Sequence, residues 1–156
     1  PLTYDRGYTY PVGKIPPEGI RQEAGQTMQI HQSAEDYLET ILMLSQRMGK
    51  VRSIDVVNEL GFTKASVSIA MKKLRENGYI AVDGEGNLTL LEPGLEIAQR
   101  IYSRHQLLTH FFVQLGVDEQ TAAEDACKAE HILSEQTLEK IRESALRNDA
   151  AHPQAK

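Results

Sequence analysis

Residues 53–94 read SIDVVNELGFTKASVSIAMKKLRENGYIAVDGEGNLTLLEPG, and the order of elements in this run decides the fold. Ser53 stands as an N-cap before a short helix that Gly61 terminates, and Thr63 caps a second helix that ends near Gly78. Two short helices joined by a tight glycine turn form a helix-turn-helix pattern. Two alternating strands follow, folded around Asp83-Gly84-Glu85-Gly86-Asn87 with glycines where a hairpin needs positive φ. Helix, turn, helix and hairpin in that order describe a winged helix with a two-stranded wing.

Upstream, SAEDYLETILMLSQRMG opens on Ser33 as an N-cap, places Tyr37, Leu38, Ile41, Leu42, Leu44 and Met48 at helical spacing, and ends at Gly49. Downstream of Pro93-Gly94 a long helix carries Leu95, Ala98, Ile101, Tyr102, Leu108, Phe111, Phe112 and Leu115 on one side. That is more apolar surface than a free surface helix carries. EQTAAEDACKAEHILS and a helix headed by Ser134 complete the second half. The sequence therefore predicts a mainly α chain: an N-terminal winged helix over 28–93, then an α-helical domain over 94–146, with 147–156 as a flexible tail. Residues 1–27 hold four of the six prolines and four of the eleven glycines without any regular period, and read as an extended or disordered segment.

Forty per cent hydrophobic and 25% charged content in 156 residues is ordinary for a globular protein. No run approaches the roughly 18 apolar residues of a membrane span, the first residues lack the basic-then-apolar order of a signal peptide, and a lone cysteine cannot form an intrachain disulfide. These features lead us to expect a cytoplasmic protein with no membrane partner. The net charge of −5 excludes indiscriminate coating of nucleic acid, so any DNA contact must be local. The second helix of the motif supplies such a patch: Lys64, Lys72, Lys73 and Arg75 against Glu76, four positive charges less one negative. The expected DNA-binding residues are Thr63, Lys64, Ser66, Ser68, Lys72 and Lys73. The hydroxyls sit near a helix N-terminus that favours phosphate, and the lysines can neutralise flanking backbone. The bland alternative is a capping threonine with a solvated lysine face. No Arg, Asn or Gln lies in the first two turns to make a bidentate base contact.

A second group of residues carries metal chemistry. Cys127, Glu130 and His131 in DACKAEHI fall on one face if the helix continues through them, Asp36 and Glu39 are spaced i,i+3 on the first helix, and the long helix carries His105. Each has an ordinary explanation: acids favour a first turn, a histidine can be a hydrogen-bonded interfacial residue, and an isolated thiol is often filler. Carboxylate, imidazole and thiolate on three helices are also the donor types that a transition-metal site requires.

AEDYLETI, the winged helix, RHQLL, LGVDEQTA and CKAEHILS together span about 110 residues, and with them the chain resembles the diphtheria-toxin-repressor family of metal-activated repressors. It is most similar to the short manganese-transport-regulator branch. The resemblance implies a transcriptional repressor of manganese or iron homeostasis that binds DNA as a homodimer at a near-palindromic operator when it holds a divalent transition metal, with 94–146 as its α-helical dimerisation and metal-binding domain. Mn2+ or Fe2+ is expected as the cofactor, with Co2+ or Zn2+ binding in vitro. It also implies that Asp36, Glu39, His105, Glu130 and His131 are ligands, with Cys127 at a position where the manganese branch has a bridging glutamate. A cysteine there is the iron-branch pattern, whereas Asp36 is not, so the chain mixes the two. The iron branch's ancillary site falls on Thr109 and Ala123, which cannot replace its glutamate and histidine, so that site is expected to be missing.

Charge suggests how metal would act. Like charges 4 Å apart repel by about 4 kcal/mol at an effective dielectric near 20, so an empty carboxylate cluster should open or take up protons. Two other functions fit parts of the chain. A di-iron oxidase would want Glu-x-x-His pairs, yet Tyr102 and Lys128 stand three residues before His105 and His131, and no HExxH occurs, so an enzyme is not expected. A metal-independent or organic-ligand-sensing winged-helix regulator needs only the DNA half.

Overall fold

The computed structural model describes residues 32–152 and the paired strands β1 (Thr3–Tyr4) and β2 (Tyr8–Thr9). The extended or disordered reading of 1–27 otherwise falls outside the described residues. The winged half follows as α1 (Gln32–Met48), α2 (Ser53–Leu60), α3 (Lys64–Glu76), β3 (Ile80–Val82) and β4 (Leu88–Leu90). The second half is α4 (Glu92–Gln114), α5 (Glu119–Ala129) and α6 (Glu135–Ala151).

The turn chemistry sets the reading geometry. Gly61 closes α2 at φ +69, a left-handed position, and donates its N–H to the Val57 carbonyl. Thr63 then caps α3 by accepting from the Ser66 N–H at 3.1 Å. The cap of α2 differs from the sequence expectation. Ser53 is already helical; Arg52 is the N-cap, and its backbone N–H donates to the Asp55 carboxylate at 2.7 Å. An acid at the third helical position can serve an orphan N–H from inside the helix. Likewise Ser33 lies within α1, which begins at Gln32.

β3 and β4 pair antiparallel with Ile80 opposite Leu90 and Val82 opposite Leu88. The Asp83 carboxylate closes the wing, accepting from the N–H groups of Glu85 and Asn87 at 2.9 Å and from the Asn87 amide at 2.8 Å. Within the wing turn only Gly86, at φ +83, takes the left-handed conformation, so Gly84 is not required by backbone strain.

Pro93-Gly94 does not precede the long helix; it lies inside the first turn of α4, where proline is tolerated because its missing N–H would have no partner. A Cβ on Gly94 would stand 2.2 Å from the Tyr79 carbonyl oxygen, so glycine is what lets α4 pass against the start of the wing. One core joins Leu38, Ile41 and Leu44 of α1 with Val56, Val67, Met71, Leu74, Ile80 and Ala98, and a second gathers Leu108, Ala126 and Leu138. α1 and α4 pack together, so α1 belongs to the reading half while touching the other. Helix α6 continues past the expected fraying point. Asp149 accepts from the Gln114 amide at 2.7 Å and lies 3.1 Å from His110 Nε2, which ties the end of α6 to α4.

Candidate metal centre

Five of the six side chains singled out for metal chemistry come together where α1, α4 and the turn after α5 meet, and Cys127 does not join them. Among the described residues two groups place one ligand atom each within 4.8 Å of one another: Asp36, Glu130 and His131, and Glu39, His105 and Glu130. Glu130 belongs to both. It is fully buried, with Oε2 2.8 Å from His105 Nδ1 and Oε1 3.2 Å from His131 Nε2. Glu130 is therefore an interior carboxylate, not a solvated one.

The sequence placed Cys127, Glu130 and His131 on one helical face, but α5 ends at Ala129. Glu130 keeps helical backbone angles as the C-cap, and His131 lies in the turn that Ser134 closes by capping α6. His131 therefore swings toward α1, where Nε2 lies 2.8 Å from Asp36 Oδ1. Cys127 stays on α5, exposed, and outside both groups, so it is neither buried filler nor one of the clustered donors. Loss of water on its inner side, followed by the charges of Glu130, Glu39 and Asp36, pushes its thiol up to about 11. The thiol is protonated at neutral pH unless something displaces the proton.

Among the described residues three buried side-chain atoms have no aligned hydrogen bond: Glu39 Oε1, Glu130 Oε1 and His131 Nε2. His131 Nε2 approaches two carboxylates without the alignment of a donated bond. Buried polar atoms are normally satisfied, so three orphans converging from α1 and from the turn after α5 fit a cation that takes lone pairs rather than protons. The cluster carries its charge by holding protons. Burial raises Glu39 to about 8, with the charge of Glu130 adding to it. Burial likewise raises Glu130 to about 8, opposed by His131. Asp36 is raised by burial against the pull of His131. Burial works to lower His131, but Glu35, Asp36 and Glu130 outweigh it and leave it raised.

A pH dependence follows. Between the ordinary glutamate value of 4.5 and about 8, folded Glu39 and Glu130 hold protons that the unfolded chain has released. The folded state then binds more protons, and stability falls as pH rises through this window. Raised His131 acts in the same direction. Chelator-treated protein should melt at a lower temperature near pH 9 than near pH 6, and a divalent ion should remove much of that difference. A melting temperature that is flat or rises over this range would contradict the protonated cluster.

Sequence reasoning overlooked three side chains here. Glu35 Oε2 lies 2.8 Å from His131 Nδ1, and Arg100 of α4 lies 3.6 Å from Glu35 Oε1. Arg104 donates to the Glu130 carbonyl at 3.1 Å and pairs with Glu135, clamping both ends of the ligand-bearing turn. Their only sequence signal was charge at helical spacing, which surface residues share. Thr109, at the expected ancillary position, is buried and donates its hydroxyl to the His105 carbonyl at 2.8 Å.

On α3, Val67, Met71 and Leu74 are buried, while Lys64, Ser66, Ser68, Lys72, Lys73 and Arg75 are exposed. Thr63 Oγ1 donates to Ser66 Oγ at 2.8 Å, so the Thr63 hydroxyl is committed to the cap and Ser66 retains its own hydrogen. Ala65 and Ile69 are exposed among these polar groups, with Ile69 58% accessible.

Comparison with known proteins accords with both halves. The model of the iron dependent repressor N-terminal DNA binding domain matches residues 29–88, and that of the iron dependent repressor metal binding and dimerisation domain matches residues 91–152. An HTH-type transcriptional regulator of Methanocaldococcus jannaschii is 37% identical over 113 residues, covering 71% of this chain and 90% of the relative. The regulator MntR of Lysinibacillus sphaericus is 33% identical over 109 residues, covering 70% of this chain and 78% of its own. The chain belongs to the iron-dependent repressor family. Among solved structures, a manganese-dependent transcriptional repressor in complex with manganese is 27% identical with a TM-score of 0.66 over 72% of this chain. The manganese regulator SloR is 26% identical with a TM-score of 0.63 over 70%. This chain spans 52% of each of those two chains. As a member of this family it is a metal-dependent transcriptional regulator built from a winged DNA-binding half and a metal-binding and dimerisation half. Among the described residues no helix is long and apolar enough to cross a membrane.

Proposed function

We propose that this chain represses genes of manganese or iron homeostasis, and that Mn2+ or Fe2+ held by Asp36, Glu39, His105, Glu130 and His131 activates it for operator binding. The observation that carries the reading is the sharing of Glu130 between two donor groups, each of which also takes a residue from α1. A divalent ion bound there supplies positive charge among carboxylates that otherwise need protons. Everything else is done by the chain: Asp36 and Glu39 belong to the helix that forms the reading core, while His105, Glu130 and His131 belong to the second half. Joining them restricts how α1, and α3 packed on the same core, sit relative to the dimerisation half. A coupling of about 1.4 kcal/mol would already change the DNA-competent population tenfold.

In the homodimer two α3 helices face successive major grooves of a near-palindromic operator. Lys64, Lys72, Lys73 and Arg75 meet phosphates, Ser66 and Ser68 offer hydroxyl contacts, and Ala65 and Ile69 present apolar surface suited to thymine methyl groups. The repressor is cytoplasmic and needs no membrane. The donor set is oxygen and nitrogen, which suits manganese and iron; Cys127, beside the first group, would broaden the response toward Co2+ and Zn2+ by adding a softer donor.

Anaerobic promoter-binding assays with Mn2+, Fe2+, Co2+ and Zn2+ added singly, against a chelator control, test this. DNA affinity should rise at least tenfold with Mn2+ or Fe2+, and equal affinity with and without metal would sink the proposal. Co2+-loaded wild type should show a sulfur-to-cobalt charge-transfer band that Cys127→Ser removes. If wild type shows no such band and the variant keeps the same metal ranking, Cys127 is not a ligand.

A further inference from the structure

His131 has two ring nitrogens and a neutral imidazole has one proton, so which nitrogen can offer a lone pair depends on what the other one touches. The ring is almost fully buried, 3% exposed, so water does not make that choice. Nε2 faces the donor group, 2.8 Å from Asp36 Oδ1 and 3.2 Å from Glu130 Oε1, without an aligned hydrogen bond. Nδ1 faces Glu35 Oε2 at 2.8 Å. Glu35 contributes no atom to either donor group. Its other oxygen, Oε1, is turned to Arg100 of α4 at 3.6 Å.

We propose that Glu35 is a positioning residue for the metal centre: it accepts the Nδ1 hydrogen of His131, fixes the ring plane, and so leaves the Nε2 lone pair directed at the space between Asp36 and Glu130. The inference rests on reading the cluster as a metal centre and adds a residue to it. A carboxylate acceptor behind a ligating histidine holds its tautomer and raises its basicity. Without that acceptor the ring could turn over, or carry its hydrogen on Nε2, where it would point a proton at the cation. Arg100 balances the added negative charge, so Glu35 can stand beside Asp36 without a further unpaired carboxylate. The arrangement also makes Glu35 a third tie, besides Asp36 and Glu39, between the reading half and the second half: it starts on α1, touches the ligand-bearing turn, and meets α4.

The test uses the full chain with labelled histidine. In metal-free wild type at alkaline pH, nitrogen NMR should find the His131 hydrogen on Nδ1, and Glu35→Ala should move it substantially to Nε2. Co2+ affinity, followed by the visible bands of the bound ion against a competing chelator, should fall by about 10–100-fold in Glu35→Ala. Glu35→Gln keeps an amide oxygen as acceptor, so it should retain the Nδ1 tautomer and lie nearer to wild type, which separates orientation from a general loss of fold. Wild-type tautomer or wild-type Co2+ affinity in Glu35→Ala overturns the proposal. A wild type that binds no Co2+, Mn2+ or Fe2+ overturns the metal reading instead, and the tautomer measurement on metal-free protein still decides whether Glu35 orients the ring.

Discussion

Glu130→Gln is expected to lower metal affinity by more than the roughly 100-fold seen when an outer partner of a ligand is removed, and to abolish metal-activated DNA binding. Glutamine is isosteric, so no cavity forms, and the buried site accepts a neutral group readily because Glu130 is raised to about 8 and holds a proton at neutral pH. The metal-free variant should fold like wild type near neutrality and be more stable than wild type above pH 8, where the native carboxylate must ionise. Its position explains the size of the effect: Glu130 is the residue common to the Asp36–His131 pair and the Glu39–His105 pair. Asp36→Asn and Glu39→Gln each disturb one pair and should cost less. Metal competition titrations on the three variants decide this. Near-wild-type affinity in Glu130→Gln, or equal losses in all three, would refute the shared role.

The fold was legible where local rules act alone. Gly61 between two short helices, Thr63 as a cap and the Asp83–Asn87 turn are sequence signals with a backbone cause, and each lies where that cause placed it. Pro93-Gly94 misled because its meaning is tertiary: alone it reads as a break, and only the approach of the Tyr79 carbonyl explains a glycine inside the first turn of α4. Ser53 misled because an acid three residues beyond Arg52 accepts the Arg52 N–H and sets the helix start one residue earlier.

At the metal centre, donor chemistry was legible and arrangement was not. Asp36, Glu39, His105, Glu130 and His131 could be named from residue type, spacing and resemblance. The grouping depends on α5 ending at Ala129, which sends His131 toward α1 and leaves Cys127 outside the two donor groups. Glu35 was hidden because an acid in the first turn of a helix is already accounted for by the helix dipole. Only the folded turn carrying His131 gives that carboxylate a partner 96 residues away.

Replacing both Lys72 and Lys73 by alanine should weaken DNA binding to every sequence and leave metal affinity unchanged. Both side chains are exposed, while the helix holds its place through Val67, Met71 and Leu74 on the opposite stripe, so the substitutions leave the core intact. The ion pair of Lys72 with Glu76 spans 3.9 Å on the surface and adds little stability. Every phosphate that is no longer neutralised takes about 0.9 from the slope of log affinity against log salt, so two lysines per chain should flatten it by up to about 1.8 and weaken binding roughly 60-fold at about 0.1 M salt. If both chains of a dimer engage the duplex, the slope change doubles, so the titration also counts how many α3 helices lie on DNA. Glu130→Gln and this double variant should therefore fail in opposite ways: the first keeps a helix able to meet phosphate but cannot be switched by metal, and the second takes up metal normally but cannot hold the duplex. Normal DNA affinity and an unchanged salt slope in the double variant would mean that α3 does not face the phosphates, whatever the metal centre does.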